Sequence, residues 1–197
     1  MPITNLDQLD FNKVYTYADY LNWQLRERLE LLRGKITLMS PALSQYHQEI
    51  STNILGFIWE NLRGQSCKVF HAPFDVRLAR KNEANELVYT VVQPDICVVC
   101  DLEKLDGKGC VGAPDLVVEI LSPGNSKKEM RDKYELYEEA GVKEYWIVHP
   151  EEALVLPFVL NEEGIFIGKQ PLTVDQTLRT PLLNGLAIPL KEVFSEK

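Results

Sequence analysis

Pro114-Asp115-Leu116-Val117-Val118-Glu119-Ile120-Leu121 runs into Ser122-Pro123-Gly124-Asn125 and then into Ser126-Lys127-Lys128-Glu129. The first stretch is almost wholly apolar and short, as a central strand covered on both faces would be. Four turn formers follow it. Ser126 and Glu129 have the spacing of a capping box, which predicts a helix from Lys127 to Ala140 with Gly141 as its stop. Alternation along the strand puts Asp115, Val117, Glu119 and Leu121 on one face. Glu119 therefore falls mid-strand among apolar neighbours, where an ionised carboxylate is costly unless cations or hydrogen bonds accompany it.

Working outward, Val142 to Val148 reads as the next strand, ended by Pro150, and Ala153 to Leu160 with Ile165 to Lys169 as a hairpin. Upstream, Asp95 to Cys100 is a strand entered through Pro94, which denies the ladder a donor and favours an edge or a kink. Leu87 to Val92 and Cys67 to Ala79 are further strands, the latter made irregular by Pro73. Ser44 caps a long helix from Gln45 to about Arg63, because Ile50, Ile54, Phe57, Ile58 and Leu62 recur at helical spacing. Leu29 to Leu32 and Lys35 to Met39 form a hairpin around Arg33-Gly34, and Thr16 with Asp19 opens a helix expected to reach Leu25. The sum is an α/β fold with a mixed central β-sheet flanked by helices. The C-terminal segment is short and rich in Pro and Leu, and carries little functional information.

The chain has 197 residues, 45% of them hydrophobic and 25% charged, which fits one globular domain. A net charge of −8 argues against a protein that coats nucleic acid but leaves room for a local basic strip. No apolar run spans a membrane, since Ala153 to Leu160 is too short and contains Pro157. Met1 to Phe11 lacks the basic start and apolar stretch of a signal peptide, so the expected location is cytoplasmic. The four cysteines then read as reduced thiols, and Cys97 and Cys100, three apart in a strand, point to opposite faces.

Two motifs fail their context. Gly107-Lys108-Gly109-Cys110-Val111-Gly112 spells a dinucleotide fingerprint, yet a strand rather than a helix follows it. His47, His71 and His149 show no metal-ligand spacing. His47 lies in the first turn of the long helix, where capping or packing is favoured over catalysis, and it is retained as a substrate contact.

Asp95, Glu119 and Glu30, the last inside Leu29-Glu30-Leu31-Leu32, are the acids that packing explains least. Carboxylates on adjacent strands can converge on one magnesium ion, which takes one or two of them and fills its sphere with water and substrate phosphate. In the helix from Lys127, Met130, Tyr134 and Tyr137 define the expected buried stripe, flanked by Lys127 and Lys133. Lys133 can lay its stem along the sheet and bring its ammonium to the acids. Lys127, Lys128 and Arg131 cluster at the helix start and form, with Lys133, one basic group suited to phosphate; Arg26, Arg28, Arg33 and Lys35 form another near Glu30.

Gln93-Pro94-Asp95, the stretch from Gly112 to Pro123, Lys133 to Tyr137 and Ala140-Gly141-Val142-Lys143-Glu144-Tyr145-Trp146-Ile147-Val148 together resemble a bacterial Uma-type family of restriction-endonuclease-like proteins within the PD-(D/E)XK nuclease superfamily. Glu30 to Lys35, Met39-Ser40-Pro41 and His47 fit its N-terminal pattern. The resemblance covers roughly residues 15–160. It implies a single restriction-endonuclease-like domain over 1–197 with an extra N-terminal hairpin and C-terminal strands. It also implies hydrolysis of DNA phosphodiesters dependent on Mg2+ or Mn2+. Carried over by position, Asp95 and Glu119 are the motif acids and Glu30 an additional one. The pattern expects Lys two residues after the second acid. Leu121 stands there, so Lys133 is the migrated lysine. The expected function is a metal-dependent endonuclease with Glu30, Asp95, Glu119 and Lys133 as its catalytic set, and a homodimer is the simplest way to cut both strands. A silent nuclease-fold binding module and a phosphodiesterase for a small substrate are the alternatives.

Overall fold

The computed structural model describes residues 2–39, 44–79, 83–122 and 127–194. Ser126 and the turn expected at Pro123-Gly124-Asn125, like Ser40-Pro41, lie outside the described residues.

β8 (Leu116–Ile120) is buried at every position and sits inside a seven-stranded mixed sheet. Its neighbours are β6 (Ile96–Val99), antiparallel, and β9 (Glu144–His149), parallel. β3 (Lys68–His71) extends the sheet beyond β6, and β10 (Leu154–Leu160) extends it beyond β9, pairing in turn with β11 (Phe166–Gly168) and β12 (Leu172–Thr173). A parallel step needs a crossover, and α3 (Lys127–Ala140) provides it between β8 and β9. Gly141, at φ 85°, takes the left-handed conformation that ends this helix.

Two apolar layers cover the sheet. On one face Ile96, Val98, Leu116, Val118 and Ile120 pack against Ile50, Ile54 and Ile58 of α2 (Gln45–Leu62). On the other, Cys97, Val99 and Val117 pack against Leu136 and Tyr137 of α3. The Ser44 hydroxyl accepts from the His47 N–H at 3.1 Å, capping α2 as its sequence predicts. A second sheet joins the N-terminal hairpin, β1 (Leu29–Leu32) and β2 (Lys35–Leu38), to β5 (Val91–Val92), β4 (Val76–Arg77) and then β7 (Cys110–Val111). Arg33 and Gly34 turn that hairpin with positive φ at both positions, 51° and 79°.

Several expectations change. The helix opened by Thr16 is one turn long, α1 (Tyr17–Tyr20), because Trp23 bridges to Ile3 instead of continuing it. The strand expected over Cys67 to Ala79 is two strands in different sheets, β3 and β4, parted at a cis Ala72–Pro73 bond. Part of the expected Leu87 strand is a 3-10 turn at Asn85–Leu87.

The cysteines are also corrected: Cys67 and Cys100 form a disulfide, while Cys97 and Cys110 are free and buried. The β3–β6 register pairs Lys68 with Val99, and one further step brings Cys67 to Cys100, with their Cα atoms 3.9 Å apart. Local spacing cannot show a pairing that depends on the register of distant strands. The C-terminal segment also differs from its plain reading: β13 (Thr177–Thr180), β14 (Leu186–Pro189) and α4 (Leu190–Val193) place Leu178, Ile188, Leu190 and Val193 in the core beneath α2. Among the described residues no helix is long and apolar enough to cross a membrane.

Candidate active site

Glu119 projects from β8 toward α3, on the same side as Val117. The β6–β8 register pairs Ile96 with Val118, and continued by one residue it sets Asp95 beside Glu119. The two acids thus share a face of the sheet, as Cys97 and Val117 do. Pro94 ends the ladder there, and the Asp95 carboxylate accepts instead from the Ile120 N–H at 2.7 Å.

Lys133 reaches this point from α3. Its Nζ lies 3.0 Å from Glu119 Oε1 and 3.0 Å from Glu30 Oε1. Lys133 is buried at 6% exposure, so the buried stripe of α3 is Lys133, Leu136 and Tyr137, rotated from the expected Met130, Tyr134 and Tyr137. Burial of a charge inside that stripe is tolerable because two carboxylates meet it. Tyr137, one turn on, donates to Glu119 Oε1 at 2.6 Å. Glu30 enters from β1, where its Oε1 also accepts the Gln93 backbone N–H at 2.8 Å and its Oε2 is buried without a partner. From the opposite layer, His47 Nε2 approaches the Ile120 carbonyl at 3.0 Å and Asp95 Oδ2 at 3.6 Å; its Nδ1 is buried and unpartnered.

The electrostatics follow from this crowding. Burial pushes the Glu119 carboxyl up to about 7: the nearby Lys133 opposes the shift, while the charges of Asp95 and Glu30 add to it. For Lys133, burial disfavours the charged form, but Glu119 and Glu30 outweigh it and hold the ammonium well above the usual lysine range. His47 is raised although burial alone would lower it, because Asp95, the Ile120 carbonyl and Glu119 favour its cation.

The structure therefore brings together Glu30, Asp95, Glu119, Lys133 and His47, and adds Tyr137 and the Gln93 backbone, which sequence reasoning passed over. The i, i+4 spacing of Lys133 and Tyr137 was the available signal for the tyrosine. Lys127 and Lys128 are exposed on the first turn of α3, and Arg131 faces Asp132 and Glu135. In the N-terminal basic group, Arg33 turns to Glu139, Lys35 to the Asn12 carbonyl and Arg28 to Gln93. Asp115, placed by alternation on the same strand face as Glu119, is buried but takes no part in the cluster; it accepts the Cys100 N–H and pairs with Lys143 at 2.7 Å.

Metal-holding capacity rests on oxygen. Asp95 and Glu119 are neighbouring hard donors, with the Ile120 carbonyl and the His47 imidazole beside them. Among the described residues no group of three or more His, Cys, Asp or Glu side chains is arranged to hold a metal, and Lys133 occupies the space between Glu30 and Glu119. The donor set fits an ion taking two carboxylates and completing its shell with water and phosphate, which is magnesium chemistry. A hollow of about 480 Å³ opens elsewhere, around Arg77 and Asp106, and none of the clustered residues lines it.

A family model described as "Uma2: Putative restriction endonuclease" matches residues 17–191. Among curated proteins the chain is similar to the uncharacterized protein slr1290 of Synechocystis, 28% identical over 149 residues that make up 74% of each chain. Among solved structures it is similar to a protein of Anabaena variabilis described as "a putative nuclease belonging to DUF820". That match has a TM-score of 0.69 and 19% identity over 91% of this chain and 97% of the other, and it establishes a shared fold.

Proposed function

Because this chain belongs to the Uma2 family of "Putative restriction endonuclease" proteins, we propose that it is a metal-dependent endonuclease acting on DNA, working in the cytoplasm. The observation that carries the reading is the position of Lys133, whose ammonium lies 3.0 Å from Glu119 although Leu121 fills the usual lysine position. A helix has delivered the cation that the strand lacks.

In this reading Asp95 and Glu119 hold Mg2+, or Mn2+ in its place. When bound, the ion supplies Lewis-acid polarisation of the phosphate and a water acidic enough to attack near neutral pH. Lys133 stays protonated and sets its charge beside the reacting phosphate, favouring the extra negative charge of the pentacovalent state. Glu30 fixes the Lys133 ammonium from the far side, and Tyr137 fixes the Glu119 carboxylate. His47 steadies the Ile120 carbonyl and faces Asp95. Lys127, Lys128 and Arg131, on the outer part of the same helix, meet the flanking phosphates.

A silent nuclease-fold binding module is the second reading. Lys133 already neutralises Glu30 and Glu119, which favours it. Incubation of supercoiled DNA with Mg2+ or Mn2+ separates the two. Nicking by the wild type that falls at least about a hundredfold in Glu119→Gln and Lys133→Met supports the enzyme. Equal background cleavage by all three proteins leaves the silent module.

A further inference from the structure

A second, smaller hollow adjoins the catalytic cluster. It measures about 160 Å³ and is lined by Tyr20, Trp23, Leu25, Glu27, Arg28, Leu29 and Gln93. Small-molecule sites span roughly 300–1,000 Å³, so this volume suits one ring system rather than a whole nucleotide.

We propose that this hollow is a subsite for one unstacked base of single-stranded DNA; that the base belongs to the nucleotide next to the scissile phosphodiester rests on the nuclease reading above. Trp23 supplies the face. Its ring meets Tyr15 edge-on with centroids 5.2 Å apart and Tyr20 at 5.5 Å, so two tyrosines hold it in place while it stays partly exposed. An aromatic face fixed in this way accepts any base by stacking, since every base has a π-face. Arg28 supplies the charge. Its Nε and Nη2 donate to Gln93 Oε1 at 3.1 and 2.9 Å, which leaves the Nη1 edge of the fork for a phosphate oxygen.

Gln93 joins the hollow to the catalytic groups. Its amide nitrogen donates to Asp75 Oδ1 at 2.8 Å and to the Tyr20 hydroxyl at 3.2 Å, which pins its side chain between Arg28 and α1. Its backbone N–H donates to Glu30, the partner of Lys133, and Pro94-Asp95 follow directly. One residue therefore has the proposed base on its side-chain face and the acids on its backbone face. A base can fill the hollow only by leaving its stack, so single strands and unpaired ends are preferred to intact duplex.

The test is equilibrium binding of the full chain, without divalent metal, to a fluorescent single-stranded oligonucleotide, to the same oligonucleotide carrying abasic sites, and to its duplex. The wild type is expected to bind the intact single strand about tenfold more tightly than either competitor. Trp23→Ala is expected to abolish that preference and Arg28→Ala to weaken all three complexes. Because Trp23 packs in the N-terminal core, Trp23→Phe is the control for folding; it keeps a ring and retains most of the preference. Equal wild-type affinity for intact and abasic strands, or a preference that survives Trp23→Ala, overturns the subsite. The cleavage assay fails independently: a protein that never cuts but keeps a Trp23-dependent base preference loses the nuclease reading alone, and one that cuts without that preference loses the subsite alone.

Discussion

At the residue scale the central fact is an ammonium buried between two carboxylates. Removing one partner of a buried ion pair strands the other charge and costs about 3–5 kcal/mol. Lys133→Met leaves Glu30 and Glu119 facing each other without a cation, so its unfolding free energy in urea is expected to drop by about that amount. A drop below about 1 kcal/mol would mean the pair is solvated. The pH dependence has a definite sign. Glu119 has a folded pKa of about 7, above its ordinary value near 4.5, so burial penalises the ionised form. Stability of the metal-free protein should therefore fall as pH rises from about 4.5 through about 7 and then level off. The raised His47 acts in the same direction, because its stabilising charge is lost as pH climbs through its folded pKa. In Glu119→Gln the thermal-melting profile should flatten over that window; an unchanged profile would assign the slope to other groups. Glu119 was legible in the sequence because a carboxylate inside an apolar strand needs a partner. Tyr137 was not, because its stripe position already explained it.

At the element scale, the two long helices were read correctly from their end signals, whereas the helix opened by Thr16 was read too long and the disulfide pairing of distant strands was missed. Ser44 and Gly141 mark α2 and α3 in the sequence, and both helices run as expected. The rotation of α3 about its axis was not legible, since a lysine in the buried stripe is acceptable only when β1 and β8 supply acids opposite it. Nor was the Cys67–Cys100 link. Thiol titration of the denatured, unreduced chain should count two free thiols, Cys97 and Cys110; four would remove the disulfide. The glycine loop also gains its explanation here. A Cβ on Gly109 would lie 2.1 Å from the Asp75 carbonyl, so close backbone approach, not phosphate binding, accounts for that glycine. Gly109→Ala should destabilise the fold well beyond Gly141→Ala, where open space leaves only the left-handed backbone cost of about 1–2 kcal/mol.

At the scale of the whole molecule, two layers meet across one sheet and the cluster forms where β6 and β8 bring Asp95 and Glu119 together. His47 arrives from the α2 layer and Lys133 from the α3 layer. The resemblance visible in the sequence covered roughly 15–160, but Leu178, Ile188, Leu190 and Val193 help to hold α2 against the sheet. A chain ending at Leu160 should consequently lose its cooperative thermal transition, measured by circular dichroism. Apolar residues in short, Pro-rich pieces leave too little periodicity for that role to be read from sequence. An anomalous difference map from crystals soaked in Mn2+ tests whether Asp95 and Glu119 share one ion. The expected result is a peak touching both the Asp95 and Glu119 carboxylates with Lys133 beside it. Manganese bound elsewhere in the molecule, with that position empty at saturating concentration, would contradict it.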